Sequence, residues 1–192
     1  MNEYMDQFMS EFKTEFPRSY SGMNDIYDTD KLVHRFKLRE DLTKKYAFAI
    51  PTDKAIRKLV ELSPLIEICA GTGYWAKLIS EAGGDIIAID NGERTDFTHK
   101  WFEIQKGTHD EVSKYPDRTL LLCWPPLNDI MAYETVELYK GETVVYIGEG
   151  DGGCNATEEF FEYLEKNFVE QETIAIPQWP GIHDYFVIWR RK

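Results

Sequence analysis

The stretch Leu65-Ile66-Glu67-Ile68-Cys69-Ala70-Gly71-Thr72-Gly73 joins a short apolar run to a glycine turn, and Tyr74 to Ala82 then follows with helical spacing. Such a turn brings backbone close to a ligand and aims the first amides of the next helix at it. Asp90 ends the next apolar run, 17 residues after Gly73. A carboxylate there accepts hydrogen bonds from ribose hydroxyls, so the two features together indicate an adenosine-containing ligand.

Working outward, apolar runs of strand length alternate with amphipathic segments, the pattern of a parallel sheet covered by helices. The runs are Leu65–Ala70, Ile86–Asp90, Phe102–Lys106, Leu120–Trp124, Val144–Gly148, Ile174–Ile176 and Tyr185–Arg190, which makes seven strands. Helices are expected at Tyr74–Ala82, Asp110–Lys114, Asp129–Tyr139 and Thr157–Phe168, the last with Phe160, Phe161, Leu164 and Phe168 on one face. Only Gln178 to His183 separate the last two strands, too few residues for a crossover helix, so that pair is expected to be an antiparallel hairpin.

Residues 1–62 read as helices packed outside the sheet. Tyr4, Met5, Phe8, Met9 and Phe12 fall at helical spacing, and Leu32, Phe36 and Leu42 recur among charges. The turn-prone stretch Pro17 to Gly22 separates the first two helices. A third begins after Pro51 with Thr52 or Asp53 as N-cap. The 192 residues suit one domain, with residues 1–62 as helical extension and 63–192 as core.

A 43% hydrophobic and 14% aromatic content excludes a disordered chain. The formal charge of -12 repels phosphate backbones and argues against nucleic acid. The three cysteines lack metal-ligand or disulfide-framework spacing, which points to a reducing compartment and no metal. No run approaches the roughly 18 apolar residues of a membrane span, so the expected setting is cytoplasmic.

Glu67-Ile68-Cys69-Ala70-Gly71-Thr72-Gly73 followed by Ile89-Asp90 resembles motifs I and II of the class I S-adenosylmethionine-dependent methyltransferases. The resemblance covers residues 46–192 and implies a Rossmann-like α/β fold, a seven-stranded, mostly parallel sheet with helices on both faces and a C-terminal antiparallel β-hairpin. It implies S-adenosylmethionine as cofactor. By this resemblance Glu67 supports the glycine loop or the ligand's amino group, Ala70, Gly71, Thr72 and Gly73 face its amino-acid part, and Asp90 holds the ribose. Trp75 and Thr108 join the cofactor-binding set, Thr108 on the adenine side. Tyr46 to Pro51 resembles the segment that flanks the methionine end. Helices before motif I are expected to cover the acceptor side.

Cys69 replaces the usual first glycine, as in members with a Cys-Ala-Gly-Thr-Gly sequence. Cys123-Trp124-Pro125-Pro126 resembles the Asp/Asn-Pro-Pro-aromatic motif of amino-group methyltransferases without its polar residue, leaving Trp124 as an aromatic wall beside the sulfonium, a stacking surface or a core residue. His183 and Asp184 form a candidate base pair for catalysis, with a solvated surface histidine as the alternative. Cys123 and Cys154 read as packing residues.

These readings predict a methyltransferase acting on a small molecule or a protein side chain. Gly71-x-Gly73-x-x-Ala76 also fits the fingerprint of an NAD-dependent oxidoreductase. A non-catalytic S-adenosylmethionine-binding interaction module is a further alternative.

Overall fold

The computed structural model describes residues 2–12 and 29–192; the expected turn at Pro17 to Gly22 and the side chain of Leu32 lie outside the described residues. Among the described residues three helices precede the sheet, α1 (Glu3–Phe12), α2 (Thr29–Lys45) and α3 (Asp53–Glu61). Thr52 caps α3, its hydroxyl accepting from the Ala55 amide at 3.1 Å. Then follow β1 (Leu65–Ile68), α4 (Tyr74–Glu81), β2 (Ile86–Asp90), β3 (Gln105–Lys106), a short 3-10 helix (His109–Lys114) and β4 (Thr119–Cys123). The chain ends with α5 (Met131–Leu138), β5 (Thr143–Gly148), α6 (Glu158–Asn167), β6 (Phe168–Ala175) and β7 (Tyr185–Arg191).

The sheet has seven strands in the order β3-β2-β1-β4-β5-β7-β6. Strands β1 to β5 pair in parallel, while β7 runs antiparallel to both β5 and β6. One face packs Leu65, Leu121 and Val145 against Ile56, Leu59, Ala76 and Ile79 of α3 and α4. The other packs Ile66, Leu120 and Val144 against Ala132, Val136, Phe160 and Leu164 of α5 and α6. Side chains alternate between faces along each strand, which is why runs that are apolar apart from Glu67 form the centre of this sheet. Among the described residues, no helix is long and apolar enough to cross a membrane.

Three expected boundaries are corrected. The strand expected at Phe102–Lys106 shrinks to Gln105–Lys106, because the Trp101 amide bonds the Thr72 carbonyl at 2.9 Å and Phe102 and Ile104 pack on Gly73 instead of extending the sheet. The helix expected to reach Phe168 stops at Asn167, and Phe168 opens β6 while still filling the same core cluster. The sixth strand is therefore eight residues long; its exposed Glu170 and Gln171 and half-buried Glu172 concealed an edge strand, where charge protects unpaired backbone.

A separate aromatic cluster docks α1 onto the sheet assembly. Tyr4, Phe8 and Phe12 bury against Tyr46, Tyr74 and Trp179, the last from the β6–β7 connection. Tyr4 stacks on Tyr46 with centroids 5.0 Å apart, and Trp179 Nε1 donates to the Tyr4 hydroxyl at 3.1 Å. Removing a buried indole empties this contact, so Trp179→Ala should lose about 3–5 kcal/mol. Tyr4→Phe keeps the ring but orphans one buried donor and should lose about 1–3 kcal/mol. Urea unfolding of both variants checks the order; equal losses would show that the hydrogen bond, not the packing, docks α1.

Candidate functional site

Strand order reverses between β1 and β4, and in open α/β sheets the ligand crevice opens there, outside the carboxyl ends of the strands. A cavity of about 720 Å³ lies at that point. Its volume falls within the roughly 300–1,000 Å³ usual for small-molecule sites.

Its floor is the turn from β1 to α4. Cys69, Gly71 and Gly73 have φ of 66°, 56° and 74°, so Cys69 adopts the left-handed conformation normally left to glycine. Asp90 braces the turn: Oδ2 accepts from the Gly71 amide at 2.9 Å, while Oδ1 accepts from the Gly92 amide at 2.8 Å. A Cβ on Gly73 would stand 2.9 Å from Phe102 Cβ, so this glycine serves packing behind the turn.

Glu67, Ala70, Gly71, Thr72, Trp75, Asp90, Thr108 and Trp124 all line the cavity, and Gly73 does not. Glu67 is 1% exposed, and burial followed by the nearby Asp90 charge pushes its carboxyl up to about 8. Its Oε2 and the Nε1 of Trp75 are buried without hydrogen-bond partners among the described residues. Thr72 is pinned by a hydroxyl bond to the Tyr46 carbonyl, which ties the turn to the end of α2. Thr108 is exposed at the start of the 3-10 helix, next to His109, whose Nε2 lies 3.2 Å from Glu134.

The β4 end differs from expectation in what surrounds Trp124. Its ring stacks on Phe48 at 4.9 Å and lies under the Arg39 guanidinium at 5.4 Å. Its indole Nε1 donates to Asp184 Oδ1 at 2.8 Å. Asp184 is itself only 1% exposed; burial is the largest cause that raises its carboxyl to about 7, with the Trp124 bond acting against it. The β6–β7 connection thus reaches the same end of the sheet as Gly71 and Trp124, yet neither Asp184 nor His183 lines the cavity. The His183 side chain is 66% exposed and its Nδ1 stands 3.6 Å from Glu149. Cys123 also lines the cavity, with burial holding its thiol far above the ordinary value, and Cys154 is raised chiefly by its bond to Glu149.

Sequence reading missed Arg94 and Phe97. The Arg94 guanidinium sits 4.7 Å from the Phe48 ring and 5.0 Å from that of Phe97, and a Cβ on Gly71 would come within 3.2 Å of Phe97. These residues belong to the segment after β2 that has neither strand nor helix period, so no local signal marked them.

In the folded chain Glu67 keeps its proton to about 8, whereas an ordinary glutamate releases it near 4.5. Across that window the folded state holds the extra proton. Stability therefore falls as pH rises, by at most about 1.4 kcal/mol per pH unit. Glu67→Gln removes this loss and should melt close to wild type at pH 5 but above it at pH 8. Asp184 is common to both proteins, so the difference isolates Glu67; parallel melting curves across that pH range would refute the buried acid.

No family model and no curated protein sequence matches the chain. Among solved structures, a Burkholderia thailandensis 1,6-didemethyltoxoflavin-N1-methyltransferase is similar at 16% identity and a TM-score of 0.52, covering 93% of each chain. Magnesium protoporphyrin IX methyltransferase of Synechocystis PCC 6803 aligns at 12% identity over 100% of this chain and 92% of its own, with a TM-score of 0.49. A SAM-dependent methyltransferase from Archaeoglobus fulgidus aligns at 13% identity over 98% of this chain and 100% of its own, also at 0.49.

Proposed function

We propose, from the premise that this chain has the class I methyltransferase fold, that it binds S-adenosylmethionine in the cavity and methylates a small molecule or a protein side chain. The unmet buried polar atoms carry the reading. Glu67 and Trp75 line the cavity, and among the described residues a carboxyl oxygen of the first and the indole N–H of the second are buried without partners. The complement of a carboxylate is an ammonium group, and that of an N–H is a carboxylate; an amino-acid end offers both. Leaving these groups unpaired is costly, and a ligand that meets them recovers the loss.

The rest of the ligand follows the strand order. Asp90 has one amide on each oxygen, and a carboxylate accepts about four hydrogen bonds, so each oxygen retains room for one ribose hydroxyl. Gly107 and Thr108 would border the adenine beyond β2, with the amides of Ala70 to Thr72 along the amino-acid part. In that orientation the methyl group would face β4 and Trp124. The bound cofactor supplies an electrophilic sulfonium methyl group, and the protein's part is to hold an acceptor in line with it. An acid that must shed its proton beside an ammonium also predicts proton release on binding near neutral pH.

The oxidoreductase reading is disfavoured by the β5-β7-β6 order, which departs from the ordinary dinucleotide-binding sheet, and by a buried acid facing a site that would take a pyrophosphate. The charge of -12 makes a nucleic-acid acceptor unfavourable.

Calorimetric titration should give binding of S-adenosylmethionine and none of NADH. Asp90→Ala loses hydrogen bonds to a charged group and should weaken binding by about 2–4 kcal/mol, on the order of 30- to 1,000-fold. Its melting must be recorded alongside, because Asp90 also holds the Gly71 amide. Affinity within about threefold of wild type in a folded variant, under about 1 kcal/mol, would place the ribose elsewhere. Formation of S-adenosylhomocysteine with a cell extract separates an enzyme from a binding module: binding without turnover favours the module.

A further inference from the structure

Trp124 is held in a conformation its sequence does not favour. Its φ is 54°, in the left-handed region, where a bulky side chain is strained and persists only when its surroundings dictate it. The surroundings here are long-range. The Trp124 amide donates to the Ile147 carbonyl at 2.8 Å, and the indole donates to Asp184 across 60 positions of chain. Phe48 and Arg39, from before β1, engage the ring.

Asp184 is an odd choice for that role if stability alone mattered. Its Oδ2 is buried without a partner among the described residues, and a buried carboxyl left half satisfied is generally worse than an apolar side chain of similar size. Glu149 nearby shows the satisfied alternative. Burial pushes its carboxyl up, but the His183 and Cys154 amides on its two oxygens, each at 2.8 Å, outweigh that and bring it below the ordinary value. What Asp184 does that an apolar residue would not is fix the direction of one indole N–H. The indole so fixed borders the cavity at the end of the strand next to β1, the side toward which the cofactor's methyl group would face.

We propose that Asp184 is a positioning residue that holds the Trp124 indole as the wall limiting the size of the transferable group, admitting a methyl and refusing an ethyl. This inference rests on the cofactor reading above. Asp184 touches neither cofactor nor acceptor in this arrangement; its effect passes through Trp124.

The test compares affinities for S-adenosylmethionine and its S-ethyl analogue, S-adenosylethionine, by calorimetry. Wild type should prefer the methyl compound by about tenfold or more, the usual discrimination for one methylene. Asp184→Ala frees the indole and should narrow the preference to about threefold or less, whereas Asp184→Asn, whose carbonyl still accepts the indole proton, should keep it within about twofold of wild type. A purely structural role would weaken both ligands alike and leave their ratio unchanged, and that result overturns the inference. Should Asp184→Ala not fold, Trp124→Phe removes the same N–H: a narrowed ratio supports the wall and an unchanged ratio overturns it. Wild type that binds neither compound overturns the cofactor reading and this inference with it, whereas binding with an unaltered ratio in the variants overturns this inference alone.

Discussion

Between Ile68 and Tyr74 the chain must leave the sheet and enter α4, and it does so through left-handed backbone at Cys69, Gly71 and Gly73. The residues of this turn are tied to different parts of the molecule. The Ala70 amide bonds the Ile89 carbonyl at 3.0 Å, Gly71 bonds Asp90, and Thr72 is bonded to Tyr46 and Trp101. Gly73 admits Phe102 and Ile104 against its bare α-carbon. The turn therefore fixes the spacing of β1, β2, the end of α2 and the segment after β2 at once. The cavity is the space these elements leave.

Acidic residues in this protein divide by whether the fold satisfies them. Glu149 is buried with both oxygens bonded to amides, and its carboxyl is lowered despite its burial. Glu67 and Asp184 are buried more completely, each with an orphaned oxygen, and both are raised. By itself the fold gains nothing from the latter arrangement. Natural proteins tolerate such conflicts mainly where function requires them, which separates a bracing acid from two candidate working ones without reference to motif.

How much was legible in the sequence follows the range of the interactions. The β1 turn and Asp90 are local: apolar run, glycines and strand-end carboxylate lie within 26 positions, and their chemistry is visible in residue types alone. The Cys69 substitution kept the left-handed backbone that a glycine would have used, so the motif survived it. Strands β1, β2, β4 and β5 were readable because both their faces are buried, whereas of β6 only the end from Ile174 was, because the rest of this edge strand, with Glu170 and Gln171 exposed, lacks an apolar run. Phe168 misled for a related reason: burial in the α6 cluster gave it helical phase, though the chain had already turned into a strand. The partners of Trp124 come from residues 39, 48 and 184, and no periodicity connects them.

The same division runs through the site itself. The elements proposed to hold the cofactor, β1 to β3 and their turns, are consecutive in the chain and are braced from outside by Tyr46. The side facing β4 is assembled from the two ends. Helix α1 buries Trp179 of the β6–β7 connection, Tyr4 accepts its indole proton, and Asp184, at the far end of that connection, reaches Trp124. This packing of one end of the chain against the other meets the glycine turn through Tyr46 and Tyr74, which bond to Thr72 with backbone atoms alone. On the proposed reading, selection of an acceptor depends on how α1, α2 and the hairpin connection set Trp124, retention of the cofactor depends on the glycine turn braced by β2 and Tyr46, and the two sides meet at Tyr46 and Tyr74.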